Sequence, residues 1–151
     1  DGTIDTIGSD HGPYSDNEKV AQKNFWKEYC GFGGYDAMLP ALLTEGVHKR
    51  GLSLPRLAQL TAGNAARIMG LKDKGSLLPG GDADIAIVDL NEHWRYGAKS
   101  FSKTKSTKGI YQDMEFIGKV KACYVRGELV YDGTGIVGKA GWGTYIPKKR
   151  G

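Results

Sequence analysis

The feature that most constrains how this chain folds is a change of hydrophobic period near residues 71–75. Before it, Met38, Leu39, Leu42, Leu43 and Val47 recur at spacings of three and four, which marks one face of a helix. Pro40 fits only the first turn of that helix, and Gly51 is its stop. Ser53 is placed to cap a second helix with Leu54, Leu57, Ala58 and Leu60 on one face. Asn64 is placed to cap a further short helix, "AARIM", closed by Gly70. After the change the pattern becomes one of strands. "KGSLLPGGDADIAIVDL" (74–90) reads as strand, turn, strand, with Gly80-Gly81-Asp82 as the turn and Ile85, Ile87 and Val88 in the second strand. Residues 91–113 read as a polar loop. "EFIGKVKACYVRGELVYDGTGIVG" (115–138) reads as two or three short strands with "RGE" and "DGTG" as turns.

Ahead of the helices, "TIDTIGS" (3–9) alternates apolar and polar residues, many β-branched, as a strand does. Gly12-Pro13 breaks it. Residues 16–29 read as a short helix, and "CGFGGYD" (30–36) as a glycine-rich loop. A β-then-helical half is thus followed by an all-β half, with no internal repeat.

Composition removes several function classes. With 40% hydrophobic and 25% charged residues, the chain is globular rather than disordered. No apolar run reaches the roughly 18 residues of a membrane helix. The net charge is +4, but the positive residues are dispersed apart from "KSFSKTKSTK" (99–108) and "PKKR" (147–150), read as a solvated loop and a tail. No nucleic-acid partner is expected. Cys30 and Cys123 stand far apart and outside any CxxC pattern, as reduced thiols of a cytoplasmic protein do.

Chemistry points to Asp10. A carboxylate at the C-terminal end of a strand, followed by a loop, stands where barrel and open α/β enzymes place catalytic groups. It can bind a metal, serve as a general base, or do both; by itself the Asp10-His11 pair also fits a turn cap and a loop residue. His48 and His93 read as surface residues. Asp82, Asp84 and Asp89 read as turn and strand-end residues rather than a metal cluster.

Five segments in order, "IDTIGSDHGP", "GFGGYDAMLPALLTEGV", "LAQLTAGNAARIMGL", "KGSLLPGGDADIAIVDL" and "VRGELVYDGTGIVGKAGWGTYI", resemble the C-terminal portion of the cyclic amidohydrolases. These are the hydantoinases, dihydropyrimidinases, allantoinases and dihydroorotases. The resemblance covers nearly the whole chain and implies an α/β fold: residues 1–72 as the last βα segment of a metal-dependent (β/α)8 barrel, and residues 73–151 as β-sandwich strands and a tail. Residues 3–10 resemble the eighth barrel strand. The implied activity is metal-dependent hydrolysis of cyclic amide C–N bonds.

The resemblance implies that Asp10 is both a metal ligand, to one of two zinc ions, and the general base that passes a proton from the attacking hydroxide to the leaving nitrogen. His11 follows that aspartate as an orienting or packing residue. Cys30, Gly31, Gly33 and Gly34 resemble the loop whose main chain holds the cyclic amide. Many hydantoinases have Asn where Cys30 stands, and dihydroorotases often have His where Tyr14 stands, which turns the resemblance away from dihydroorotase. A small cyclic amide or ureide substrate and a homo-oligomeric enzyme are implied. A complete barrel takes about 250 residues, and the family's His-x-His pair, carboxylated lysine and two later histidines have no counterpart here. The expectation is a C-terminal part of a longer enzyme, inactive and poorly soluble by itself. A non-catalytic binding or assembly relative is the rival.

Overall fold

The structure is a computed structural model that describes residues 2–12, 14–15, 18, 24–29, 31–97 and 110–147. Two helices lie beside a three-stranded antiparallel sheet. Of the helix read over 16–29, only a 3₁₀ turn, Phe25–Lys27, belongs to the described residues as regular structure.

The first helix begins at Tyr35, directly after Gly34. Its α-helical part, α1 (Tyr35–Ala41), runs into a π-wound stretch, Leu42–His48, and ends before Gly51. It therefore starts three residues before Met38, and Pro40 lies inside it rather than in its first turn. The ring removes the bond that an N–H would make to the preceding turn. The Pro40 carbonyl is taken by Thr44 Oγ1 at 2.8 Å. The same hydroxyl accepts from the Ile117 N–H, also at 2.8 Å, and so ties helix to sheet. Thr44 is buried, and its two bonds satisfy a hydroxyl that would otherwise be costly there.

The second helix is capped as expected. Ser53 has extended backbone angles and accepts from the Arg56 N–H at 3.4 Å. It continues without interruption through α2 (Leu54–Ala58), a π-wound Gln59–Gly63 and α3 (Asn64–Met69), to a left-handed Gly70. Asn64 caps nothing, because the helix is already formed on both sides of it. Its side chain instead donates to the Asp5 carbonyl at 2.8 Å.

The expected strand over 3–9 does not form. No neighbouring strand runs beside it among the described residues, and a strand's peptide groups need lateral partners. The second helix supplies substitutes. Ile7 N–H donates to the Leu60 carbonyl (3.0 Å), and Arg56 to the Ile4 carbonyl (2.8 Å). Ile4 is left 63% exposed.

The sheet contains β1 (Ile85–Arg95), β2 (Glu115–Val125) and β3 (Glu128–Tyr131), in that order. Ile85 pairs with Tyr124, Trp94 with Phe116, and Cys123 with Tyr131. Two expectations fail here. Lys74–Leu78 is not a strand: Asp82 N–H bonds back to the Asp73 carbonyl (2.8 Å) and closes a loop instead. Residues 91–95 are strand and not loop, because Trp94 turns inward between exposed His93 and Arg95 and the ladder to Glu115–Ile117 continues. The Arg126-Gly127 turn has both φ angles positive (49° and 80°), the geometry a two-residue hairpin requires. In "DGTG", Asp132 Oδ1 accepts from Thr134 N–H, Thr134 Oγ1 and Gly135 N–H at 2.7–2.9 Å. Those bonds, the Thr134 hydroxyl first, hold its carboxyl below the usual value.

The described sheet is single rather than a sandwich, and the first helix covers part of one face. Ala37, Tyr96 and Phe116 are buried at the seam, with Ala41, Trp94, Tyr111 and Met114 packed around them. Gly118 permits the close approach: a Cβ there would stand 2.8 Å from Leu43 Cδ1.

Candidate functional site

The structure brings two of the singled-out segments together. The Asp10–Gly12 segment and the loop at Gly31–Gly34 touch edge to edge: Gly12 N–H donates to the Phe32 carbonyl at 3.0 Å, in a single parallel bridge between His11 and Phe32. A Cβ on Gly31 would lie 3.2 Å from the Gly12 Cα.

His11 is the clasp. Its Nδ1 accepts from the Gly34 N–H at 3.2 Å and from the Tyr35 N–H at 3.4 Å. Its ring meets the Tyr35 ring edge-on, with centroids 4.7 Å apart and planes at 87°. A nitrogen that accepts two N–H bonds carries no hydrogen, so the neutral ring's proton sits on Nε2.

The loop is also backed by the turn that leads into β2. A Cβ on Gly34 would stand 2.6 Å from Tyr111 Cε2, and Gly34 has φ 154°. Only glycine fits there. The Tyr111 ring packs on Phe32 (6.0 Å), Tyr96 (6.3 Å) and Phe116 (6.3 Å). Tyr96 Oη donates to the Asp36 carboxylate at 3.1–3.2 Å, which anchors the first turn of the helix following the loop.

Asp10 stands at the open end of this arrangement. It is exposed, with a left-handed φ of 45° that Asp tolerates better than most residues. Its carboxylate makes no hydrogen bond or ion pair with another described residue. The peptide groups of Gly33 are likewise engaged by no other described residue. With no partner among the described residues, the Asp10 carboxylate can take a proton and the Gly33 peptide groups can hold an amide.

Gly31, Gly33 and Gly34 are thus placed near the Asp10 segment, while Cys30 lies outside the described residues. Tyr14 stacks on Tyr29 at 4.9 Å. His48 and His93 are both exposed; His48 Nε2 is 2.9 Å from the Leu90 carbonyl. Asp82 and Asp84 both pair with Lys74, and Asp89 Oδ1 accepts from the Asn91 and Glu92 N–H groups. Burial pushes the Asp84 carboxyl up, but Lys74 and the Arg126 N–H outweigh it and bring it below the usual value.

The fit to a metal centre is partial. Asp10 is a suitable oxygen donor, but no group of three or more His, Cys, Asp or Glu residues gathers among the described residues. These residues alone do not hold a metal ion. A concavity of about 640 Å³ opens between the first helix and the sheet, lined by Tyr35, Trp94, Cys123 and Tyr131 among others, and neither Asp10 nor the loop at Gly31–Gly34 lines it.

Sequence reasoning missed Tyr96 and Tyr111, which fell inside the stretch read as loop. The readable signal was the continued alternation through Trp94 and Tyr96.

The family model for the amidohydrolase family matches residues 1–130. An allantoinase of Deinococcus radiodurans is 37% identical over 130 residues, covering 86% of this chain and 28% of that protein. An L-hydantoinase of Paenarthrobacter aurescens is 34% identical over 151 residues, covering 98% and 32%. The crystal structure of D-hydantoinase from Bacillus sp. AR9 superposes with a TM-score of 0.88 at 28% identity, covering 96% of this chain and 32% of that one. The chain spans about a third of the length of the curated relatives it matches. By this match, with the glycine loop seated against the Asp10 segment, the chain belongs to the amidohydrolase family.

Proposed function

We propose that these residues form part of a metal-dependent hydrolase that opens a C–N bond in a cyclic amide of the hydantoin, dihydropyrimidine or allantoin type. The product is an N-carbamoyl or ureido acid. The observation that carries the reading is a glycine loop clasped to His11 and Gly12, directly after an exposed Asp10 whose carboxylate has no partner among the described residues. Residues 1–72 then supply the last strand segment and trailing helices of a (β/α)8 barrel. Residues 73–151 supply part of a β-sandwich, and the missing strand neighbours of residues 3–9 come from outside this chain.

In that enzyme Asp10 takes the proton of the water that attacks the ring carbonyl and returns it to the leaving nitrogen. Main-chain groups of the Cys30–Gly34 loop hold the ring amide in line for the attack. Asp10 is the donor that the described residues offer to a zinc centre whose other ligands lie outside them. The exposed apolar tail, with Tyr145 at 86% and Ile146 at 43% exposure, supports packing between subunits of a homo-oligomer.

The test is turnover of hydantoin, dihydrouracil, allantoin and dihydroorotate by the complete enzyme, with Asp10→Ala beside it. The variant is expected to lose at least about 10²–10⁴-fold in kcat, the usual worth of a positioned base. Wild-type turnover of none of the four rings would sink the assignment. Turnover by Asp10→Ala at the wild-type rate would remove Asp10 from its role.

A further inference from the structure

We infer that His11 is a positioning residue that sets the glycine loop against Asp10 through its Nδ1. It acts through Nδ1 as a hydrogen-bond acceptor for the loop. The inference rests on the proposed cyclic-amide activity for its functional consequence, and on geometry alone for its structural part.

Three observations converge. Nδ1 faces two consecutive N–H groups, those of Gly34 and Tyr35. These lie where the loop turns into the first helix, whose opening N–H groups have no partner inside the helix. Gly34, which precedes the helix, offers no side chain of its own to cap it. The Tyr35 ring meets the imidazole edge-on, which limits its rotation. Finally, His11 and Gly12 carry the remaining joint between the segments, the parallel bridge to Phe32. Since His11 directly follows Asp10, one side chain fixes the spacing between the Asp10 main chain and the loop.

This geometry discriminates between substitutions of similar size. The Asn side-chain oxygen stands at the same bond distance from the backbone as Nδ1. The Gln oxygen stands one bond further out, near the position of Nε2. His11→Asn therefore keeps an acceptor aimed at Gly34 and Tyr35, whereas His11→Gln and His11→Ala do not.

Two measurements on the complete enzyme decide the matter. Hydrogen exchange of the Gly34 and Tyr35 amides is expected to be slow in wild type and His11→Asn, and fast in His11→Gln and His11→Ala. With hydantoin as substrate, the Gln and Ala variants are expected to raise KM and to lower kcat/KM by up to about 10²-fold, the cost of an ångström-scale misplacement. The Asn variant should lie closer to wild type. A loss of folded enzyme alone would lower kcat and leave KM unchanged. Equal exchange in all three variants, or an unchanged KM in the Gln variant, overturns the inference. If the wild type turns over no cyclic amide, the functional reading fails, and amide exchange alone still decides whether His11 clasps the loop.

Discussion

Gly34→Ala places one methyl group where the structure has no room for it. The new Cβ would stand 2.6 Å from Tyr111 Cε2 and 2.8 Å from Cδ2, below any real carbon contact. Tyr111 cannot simply swing aside, because Phe32, Tyr96 and Phe116 hold its ring on other sides. Overpacking of this kind costs about 1–3 kcal/mol. Holding alanine at φ 154° adds about 1–3 kcal/mol of backbone strain. The expected total is about 2–6 kcal/mol. Urea unfolding of the complete enzyme, followed by tryptophan fluorescence with Trp94 packed in the same cluster, reads it as a shift of the midpoint. The two contributions separate in a Tyr111→Leu background. There the clash is relieved and the strain remains, so the cost of Gly34→Ala should fall by about 1–3 kcal/mol. An unchanged midpoint for Gly34→Ala, or an equal cost in both backgrounds, would show that Tyr111 does not back the loop.

Phe116→Ala removes the fully buried ring at the helix–sheet seam and should cost about 3–5 kcal/mol in the same unfolding experiment. The Lys74–Asp82–Asp84 cluster gives a pH signature. Asp84 has a lowered carboxyl value, so its contribution is present above the ordinary carboxylate range and is lost as pH falls below about 4. Lys74 is raised, by its bond to Asp82 first and Asp84 second, so its contribution persists below the ordinary lysine range and is lost only above about 10.4. Asp84→Asn should flatten the acid limb of a stability–pH curve, and an acid limb identical to wild type would refute the pairing.

Local signals in the sequence carried the ends of elements well. Ser53, Gly51 and Gly70 bound the helices, and the Arg126-Gly127 and Asp132–Gly135 turns have the chemistry their positions imply. What failed was structure that depends on partners. Residues 3–9 have a strand's alternation, but pairing makes a strand, and the second helix binds their carbonyls instead. Asn64 has a cap's chemistry inside a helix that is continuous around it. Residues 91–95 are polar because their exposed side faces solvent, and only pairing with Glu115–Ile117 reveals them as strand. The site divides the same way. Asp10 and the glycines were legible as turning points in the chain. The His11 bond joining them, and Tyr111 behind Gly34, depend on contacts between distant residues that no local pattern encodes.

The two halves of the site are held very differently, and this bears on how each fails. The loop is gripped by His11 in front, by Tyr111 behind, and through Asp36 by Tyr96 on β1's side of the seam. Its peptide groups are therefore pre-positioned, which in the proposed enzyme lowers the entropy cost of holding a ring amide. Asp10 has no such support from a described side chain, and its carboxylate is exposed. If the proposed role holds, changes in the loop disturb stability and substrate geometry together, because the same contacts serve both. Asp10→Asn removes no contact between described residues and keeps a side chain that tolerates the left-handed φ of 45°, so it should leave stability within about 0.5 kcal/mol of wild type in urea unfolding, while removing the proposed proton carrier. That separation of stability from turnover distinguishes a residue held ready for chemistry from one that merely caps a turn, since Asn caps a turn about as well as Asp and would then leave turnover unchanged too.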